Sequence, residues 1–298
     1  MSSRRRFLQG LGGGVVASVA APAAVALPTV KFGKADITRL IIGSNPFYGY
    51  SHFNPLLDSM MREWMTQDRR IGILKQAEAA GINTWQVHYN DPTIADFKRY
   101  RAEGGRMNWL LLADFDLMKN WKLLTEVAKL GPIGVAHHGN RTDDRFRAGE
   151  MNIVRDFVNA VHDAGLPGGI STHNPKVVEY VEEHGWNNDY YMTCMYRVSR
   201  TEDEARDELG EAPLGEVYME RDPERMCRMV RATRKTCFAF KLLGAGRNIR
   251  TPQQVEQAVG YVLSNIKPQD AVIMGMFPKF RDEIRENAEL VRRLSLPS

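Results

Sequence analysis

The sequence of 298 residues contains only three cysteines, and no CxxC pair occurs in it. Cys194, Cys227 and Cys237 cannot all pair with one another, and their spacing does not fit a zinc ribbon. The sequence therefore indicates neither a disulfide-stapled scaffold nor a cysteine-based zinc module. A bridge between Cys227 and Cys237 is compatible with the sequence, but buried free thiols are the favoured state.

Long apolar runs and an excess of one charge sign are also lacking. After residue 26 no segment approaches the roughly 18 uncharged apolar residues that a membrane helix needs, so we expect no stable membrane span. The formal net charge is +4, and removing Arg4, Arg5 and Arg6 leaves +1 for residues 27–298. This near-neutral balance argues against nucleic acid as a partner, and we expect a small-molecule substrate instead.

The first 26 residues have the pattern of a twin-arginine export signal. Adjacent arginines followed by Phe-Leu occupy residues 4–8, a weakly apolar stretch rich in glycine and alanine follows, and Ala24-Val25-Ala26 suits a signal peptidase. We predict a signal peptide over residues 1–26, recognition by the twin-arginine translocase, and a periplasmic or other extracytoplasmic mature chain, residues 27–298. Because such cargo folds in the reducing cytoplasm, free thiols agree with this route.

Short apolar runs alternate with amphipathic stretches through residues 27–298. Eight runs have the continuous apolar character of parallel strands that are buried on both faces. They are Leu40 to Gly43, Thr84 to Val87, Trp109 to Ala113, Ile133 to His137, Gly169 to His173, Tyr190 to Tyr196, Phe238 to Leu243 and Ala271 to Met276. Between them apolar residues recur at helical spacing, with Gly or Pro at several helix ends. The pattern predicts an α/β protein, a single-domain (β/α)8 TIM barrel.

Two long interruptions follow predicted strands, Pro46 to Asp68 after the first and Val198 to Arg221 after the sixth. Both are expected over the carboxyl ends of the strands. Barrels place their active sites at that face, so the two segments are interpreted as lids or substrate loops; a plain surface excursion stays open for the second.

Polar side chains follow the predicted strands at this same face. They are His88, Asp114, Asp116, His137, His138, His173 and, within the seventh strand, Lys241. A set of imidazoles with one carboxylate, namely His88, Asp114, His137 and His173, is a candidate site for a divalent metal ion that would polarise a carbonyl or a hydroxyl group. Because adjacent strand residues face opposite ways, at most one of His137 and His138 faces the barrel centre.

Lys241 has three possible roles. A lysine within an apolar strand can be desolvated enough to form a Schiff base with a carbonyl substrate. It can also pair with Asp114 or Asp116, or bind a phosphate group. Charge pairing or phosphate binding is favoured, because no second lysine lies nearby in the sequence to lower the pKa of Lys241.

Four stretches resemble the aldo/keto reductase superfamily, in the same order and on the same elements. They are Ala79 to Trp85, Val135 to Asn140, Gly169 to His173, and Gly275 to Asn287. The resemblance implies a TIM-barrel oxidoreductase that uses NADP(H) on a small carbonyl or sugar substrate, with a Tyr proton donor tuned by Lys, Asp and His. By resemblance, the cofactor-binding residues are Ser171, Phe240, Gly244, Lys279, Arg281, Glu286 and Asn287.

The catalytic part of the resemblance is incomplete. Gln86 falls where the family has Asp, Asp91 falls near the position of the Tyr with Tyr89 two residues away, and Asp114 falls where Lys is expected. His137 is retained. The candidate catalytic residues are therefore a nonstandard set: His137, His88, Tyr89, Asp114 and Lys241.

Three functions remain open from the sequence. The first is an exported oxidoreductase with NADP(H), and the second is a metal-assisted lyase, isomerase or hydrolase acting on a small polar, carbohydrate-like substrate. The third is a barrel without catalytic activity that binds a ligand or a partner protein.

Overall fold

A computed structural model describes residues 26–295 of the chain. The predicted export signal lies outside the described residues, apart from Ala26. The described chain starts with an antiparallel hairpin in which β1 (Thr29–Phe32) pairs with β2 (Ala35–Thr38).

Eight parallel strands follow and close into a barrel, with β10 paired to β3. They are β3 (Leu40–Gly43), β4 (Thr84–His88), β5 (Asn108–Leu112), β6 (Gly134–His137), β7 (Gly168–Thr172), β8 (Tyr190–Cys194), β9 (Thr236–Phe240) and β10 (Ala271–Gly275). The predicted TIM barrel and all eight predicted strands are confirmed, to within three residues at each end. Lys241 was predicted inside the seventh strand, but that strand, β9, ends one residue earlier.

Helices surround the barrel. Within residues 26–295 the α-helices are α1 (Pro55–Trp64), α2 (Gln67–Ala79), α3 (Asp91–Ala102), α4 (Phe115–Lys119), α5 (Leu124–Lys129), α6 (Gly139–Arg147), α7 (Met151–Asp163), α8 (Pro175–Glu183), α9 (Glu202–Leu209), α10 (Asp222–Ala232), α11 (Pro252–Asn265) and α12 (Glu283–Leu294). In this part of the chain, none is long and apolar enough to cross a lipid bilayer. Helices α1 and α9 lie in the two predicted lid segments, so these segments are partly helical.

The hairpin closes the amino-terminal end of the barrel. The Phe32 ring makes edge contacts with the rings of Tyr190 and Phe238, each at a centroid distance of 5.1 Å, and Ile37 is fully buried among the same group. Tyr190 needs space inside the barrel, and Gly169 on the neighbouring strand provides it, since a Cβ there would lie 2.3 Å from the tyrosine ring. This end of the barrel is therefore filled by packed, largely apolar side chains.

The three cysteines are buried free thiols. Burial raises the pKa of Cys194 to about 12 and that of Cys227 to about 11. A thiol with so high a pKa is a poor nucleophile, so these residues serve the packing of the barrel.

Candidate active site

A groove of about 940 Å³ opens at the carboxyl ends of β3, β4, β9 and β10. Its inner end lies at the barrel mouth, where Ser44, Gln86, Phe240 and Lys241 line it. Its outer part lies along α11 and α12. A groove of this size and shape accommodates an extended small molecule, with one end over the barrel.

Four of the seven predicted cofactor residues line this groove: Phe240, Arg281, Glu286 and Asn287. The strand β9 ends with Phe240, and α12 carries Glu286 and Asn287 one turn into the helix. The Arg281 Nε donates a 2.6 Å hydrogen bond to Glu286. The fold therefore places Phe240 and Arg281, about 40 positions apart in the sequence, along the same groove.

The other three predicted cofactor residues do not line the groove. The Lys279 ammonium lies 5.5 Å from the centre of the Phe280 ring, and Gly244 forms a tight turn with a φ of +59°. Ser171 is buried, with its Oγ against Gly139. These three residues therefore lie outside the lining of the groove.

The outer groove carries more carboxylates than cations. It is lined by Glu256, Glu283, Glu286 and Glu289, and by Arg281 and Arg293. Each arginine is paired with a glutamate of the groove, Arg293 with Glu256 at 2.6 Å and Arg281 with Glu286. A bound phosphate would therefore have to share the arginines with these carboxylates.

Three polar atoms along the inner groove are buried without a hydrogen-bond partner among the described residues. They are Ser44 Oγ, Gln86 Nε2 and Lys241 Nζ. Leaving such a group unpaired costs about 1–3 kcal/mol each, and a bound ligand, ion or water would supply the missing bond. The inner groove thus fits a polar ligand head, while the half-buried Phe240 ring offers an apolar face and Arg281 a cation. A ligand with a polar head, a flat ring and an anionic group would complement these three features.

Backbone strain points to the same place. Within residues 26–295, three non-glycine residues have a positive φ, namely His52 (+54°), Lys241 (+60°) and Ala245 (+51°). All three line the groove. Strained non-glycine conformations cost energy and tend to persist at functional sites, so the strain supports the groove as the site.

A buried carboxylate–imidazole pair lies beside the groove. The His173 ring, which follows β7, hydrogen-bonds through Nδ1 to Asp143 at 2.9 Å, and Asp143 also accepts from the His173 backbone N–H and the Thr172 hydroxyl. Burial alone would raise the pKa of Asp143, but these hydrogen bonds outweigh it and lower that pKa. With Nδ1 engaged, Nε2 is the ring nitrogen that can act on a ligand.

The position of this pair depends on Gly139. A Cβ at Gly139 would lie 2.9 Å from His173 Cε1 and 3.0 Å from Ser171 Oγ, so α6 can approach β7 only with glycine here. The His173 ring then meets the Phe240 ring edge-on at 5.6 Å. The pair therefore adjoins the aromatic face of the groove. Sequence reasoning missed Asp143, which lies in α6, a helix that the sequence did not predict.

The structure separates two adjacent histidines, His137 at the end of β6 and His138 directly after it. His137 does not reach the barrel mouth: its Nδ1 hydrogen-bonds with Thr142 of α6 at 2.7 Å, and its ring packs edge-on against Phe157 of α7. Burial lowers its pKa to about 3. His138 faces the mouth, with its ring 5.8 Å from that of His88. Strand alternation explains the difference, and it makes His137 a neutral packing residue instead of an acid.

Two of the remaining predicted catalytic residues, His88 and Asp114, lie close together. His88 ends β4 and faces the mouth, where burial lowers its pKa and the nearby Asp114 opposes that shift; Asp114 also accepts a 3.2 Å hydrogen bond from Asn90. Burial and the nearby Asp91 and Glu126 raise the pKa of Tyr89. A proton-donating phenol requires the opposite shift. Asp116 is exposed on α4.

The predicted metal set is not assembled in this structure. Two of its four members are engaged elsewhere. His137 faces the outer helices, and His173 is paired with Asp143. Among residues 26–295, no three His, Cys, Asp or Glu side chains come together as a group that could hold a metal ion.

Lys241 pairs with a residue that sequence reasoning did not consider. Its Nζ lies 4.0 Å from Glu216 Oε2, in the second predicted lid, so the charge partner is Glu216 and not Asp114 or Asp116, the two carboxylates that the sequence offered. Glu216 also bonds to His52 at 3.0 Å and accepts from Tyr218 at 2.7 Å. Burial opposes the charge of Glu216, but His52, Lys241 and Tyr218 together lower its pKa to about 2.

The two predicted lids meet over the mouth. Besides the bond between His52 and Glu216, the Arg247 guanidinium lies 3.8 Å from the centre of the Tyr218 ring and donates to the His52 carbonyl at 3.3 Å. His52 belongs to the loop after β3 and Glu216 to the loop after β8. The structure thus places both segments at the active face, as the sequence predicts.

No protein-family model and no curated protein sequence matches the chain. Solved structures do match it. A truncated 3-deoxy-D-arabino-heptulosonate 7-phosphate synthase from Thermotoga maritima is 11% identical, covers 90% of this chain and 91% of that one, and has a TM-score of 0.51. A glycerol dehydrogenase from Gluconobacter oxydans is 10% identical, covers 91% and 96%, and has a TM-score of 0.51. An aldo/keto reductase from Brucella melitensis is 14% identical, covers 90% and 98%, and has a TM-score of 0.48.

At these identities the likeness shows the fold alone. The chain is a single-domain TIM barrel, and its fold is similar to that of the synthase and of the glycerol dehydrogenase.

Proposed function

We propose that the protein is an aldo/keto reductase-like oxidoreductase that binds NADP(H) in the groove and acts on a small carbonyl or sugar substrate. The observation that carries the proposal is the groove itself, because it joins the barrel mouth to α12 and is lined by Phe240, Arg281, Glu286 and Asn287. The resemblance in sequence assigns these same four residues to the cofactor.

The residues divide the task of holding the cofactor. Phe240 would stack on the nicotinamide, Arg281 would bind the phosphate of the adenosine end, and the unpaired Ser44 and Gln86 groups would hydrogen-bond at the barrel mouth. The cofactor supplies hydride chemistry when bound. The protein's own part is to orient the substrate carbonyl, to keep water out of the mouth and to deliver a proton.

The proton donor in this proposal is His173, positioned by Asp143, in place of the family's tyrosine. Its ring adjoins Phe240, and Asp143 fixes the ring orientation through Nδ1, which leaves Nε2 to donate a proton to the carbonyl oxygen as hydride arrives at carbon. A carboxylate bonded to Nδ1 stabilises the imidazolium form. His137, the residue retained from the family pattern, is replaced in this role.

Fluorescence titration of the mature chain, residues 27–298, with NADPH and NADH tests the cofactor assignment. We expect saturable binding that weakens about tenfold or more in Arg281→Ala, because a charge-assisted bond to phosphate is lost. Arg285→Ala is the matched control, since Arg285 is exposed, pairs with Asp282 and does not line the groove. No saturable binding of either nucleotide, or equal losses in both variants, would contradict the proposal.

The proposal includes export through the twin-arginine pathway with the cofactor already bound. Support comes from the paired arginines, the Phe-Leu and the Ala-x-Ala in residues 1–26. Cell fractionation should find the chain outside the cytoplasm, and a variant with Arg4, Arg5 and Arg6 all replaced by lysine should stay inside, although its charge is unchanged. Export of that variant at the normal level would contradict this part of the proposal.

A further inference from the structure

Lys241 lies in an unusual setting. It is the first residue after β9 and has a left-handed backbone with a φ of +60°. Its side chain is 9% exposed and lines the inner groove, and its Nζ has no hydrogen-bond partner among the described residues. A strained backbone that presents a buried, unbonded amine to a cavity is costly in two ways, and a role toward a ligand accounts for both.

Burial favours the neutral amine of Lys241. It is the largest influence on the pKa of Lys241 and lowers it, whereas Cys194 and Glu216 raise that pKa. The sequence shows no second lysine near Lys241 that would lower its pKa. In the structure Arg247, from the loop that follows β9, lowers it, although Arg247 is the smallest of these four influences.

We propose that Lys241 is a nucleophilic amine that captures small aldehydes or ketones in the groove as a Schiff base. The lone pair on Nζ attacks the carbonyl carbon, the C=O pair moves to oxygen, and a proton passes from nitrogen to oxygen to give a carbinolamine. Loss of the hydroxyl as water, with one added proton, leaves a positively charged C=N bond. No oxidant or reductant is needed.

Glu216 is the counter-ion for this cation. Its Oε2 lies 4.0 Å from Nζ, and its low pKa keeps it ionised while the iminium is present. The inference goes beyond the proposed oxidoreductase, because capture requires the groove and the amine but no nicotinamide. Because only aldehydes and ketones form a Schiff base with an amine, the inference names carbonyl compounds as the substrate class.

Reductive trapping tests the inference directly. The mature chain is incubated with dihydroxyacetone or pyruvate, reduced with borohydride, digested and mapped by peptide mass. We expect a one-probe adduct at Lys241 that exceeds the adducts at Lys279 and Lys31 by about tenfold or more, because the neutral amine is the nucleophile. Lys279 and Lys31 serve as controls within the same molecule, so the result does not depend on a variant that folds.

Variants sharpen the assignment. Lys241→Arg should remove the dominant adduct and leave the minor ones unchanged. An even spread of adducts over exposed lysines, or none at Lys241, would overturn the inference. NADPH titration of the same preparation separates the two proposals: binding without an adduct rejects capture and keeps the oxidoreductase, whereas an adduct without binding rejects the cofactor and keeps capture.

Discussion

The two ends of the barrel are built in opposite ways. At the amino-terminal end a hairpin packs Phe32 and Ile37 onto buried aromatic rings. At the carboxyl-terminal end lie the three strained non-glycine backbones of the described residues, His52, Lys241 and Ala245, and three buried polar atoms of the groove that make no hydrogen bond, although Tyr190 Oη is also such an atom at the closed end. Apolar burial at the first end stabilises the fold. The strained backbones and unpaired polar atoms at the second end lower its stability. Such a division is expected where a rigid scaffold carries a site that must bind something polar.

The largest expected effect is at the closed end. Phe32→Ala should lower the free energy of unfolding by about 3 kcal/mol or more, because the ring fills the space against Tyr190 and Phe238 and would leave a cavity. Urea denaturation measures the loss. Nucleotide affinity of the folded variant should be unchanged, and a parallel loss of affinity would show that the two ends are coupled.

The open end should respond with the opposite sign. Lys241→Met removes a buried amine without a hydrogen bond and keeps the volume, so the free energy of unfolding should rise by about 1 kcal/mol. Glu216 retains its bonds to His52 and Tyr218. Lys279→Met, at an amine outside the groove, should change stability little. A destabilised Lys241→Met variant would show that the pairing with Glu216 contributes more than the amine's burial costs.

Acid should weaken the fold through Asp143. Its pKa in the folded chain is below the ordinary value of 3.8, so its contribution to stability is complete above that value and is lost as the pH falls through the folded pKa. Asp143→Asn should therefore flatten the acid side of a stability–pH curve measured by urea denaturation. Asp144→Asn is the matched control, because Asp144 is the next residue in the chain and its own carboxylate is half exposed. Equal stability–pH curves for both variants would show that the buried Asp143–His173 pair is not the cause of the acid sensitivity.

The smallest effect is expected on the rim of the mouth. Leu214 is fully exposed in the second lid segment, so Leu214→Ser should shift the free energy of unfolding by less than about 0.5 kcal/mol. Thermal denaturation with and without NADPH would check it. A larger shift that appears only with nucleotide would mean that the lid closes over the ligand and buries this side chain.

The sequence predicted the fold better than the site, for a physical reason. Strands such as Leu40–Gly43 are apolar on both faces, and that pattern survives in a single sequence. The hairpin at residues 29–38 and helix α6 were missed, because a four-residue strand and a helix with few apolar positions give weak periodicity.

Site residues depend on distances that no local pattern contains. The sequence placed Lys241 at the mouth but not its partner, which is 25 positions away in a loop. The sequence also favoured His137 over His138. Adjacent residues of a strand point to opposite faces, and the sequence alone does not show which of the two histidines faces inward. Asp143 became visible only when α6 was placed against β7.

The hairpin also sets the direction in which the chain enters the barrel. Thr29 and Thr38 are paired at its open end, and β3 begins two residues later, so the described chain enters the barrel at the closed end, opposite the groove. An affinity handle fused in place of residues 1–25 would therefore attach at the closed end. The protein immobilised through such a handle would present its groove toward the solution.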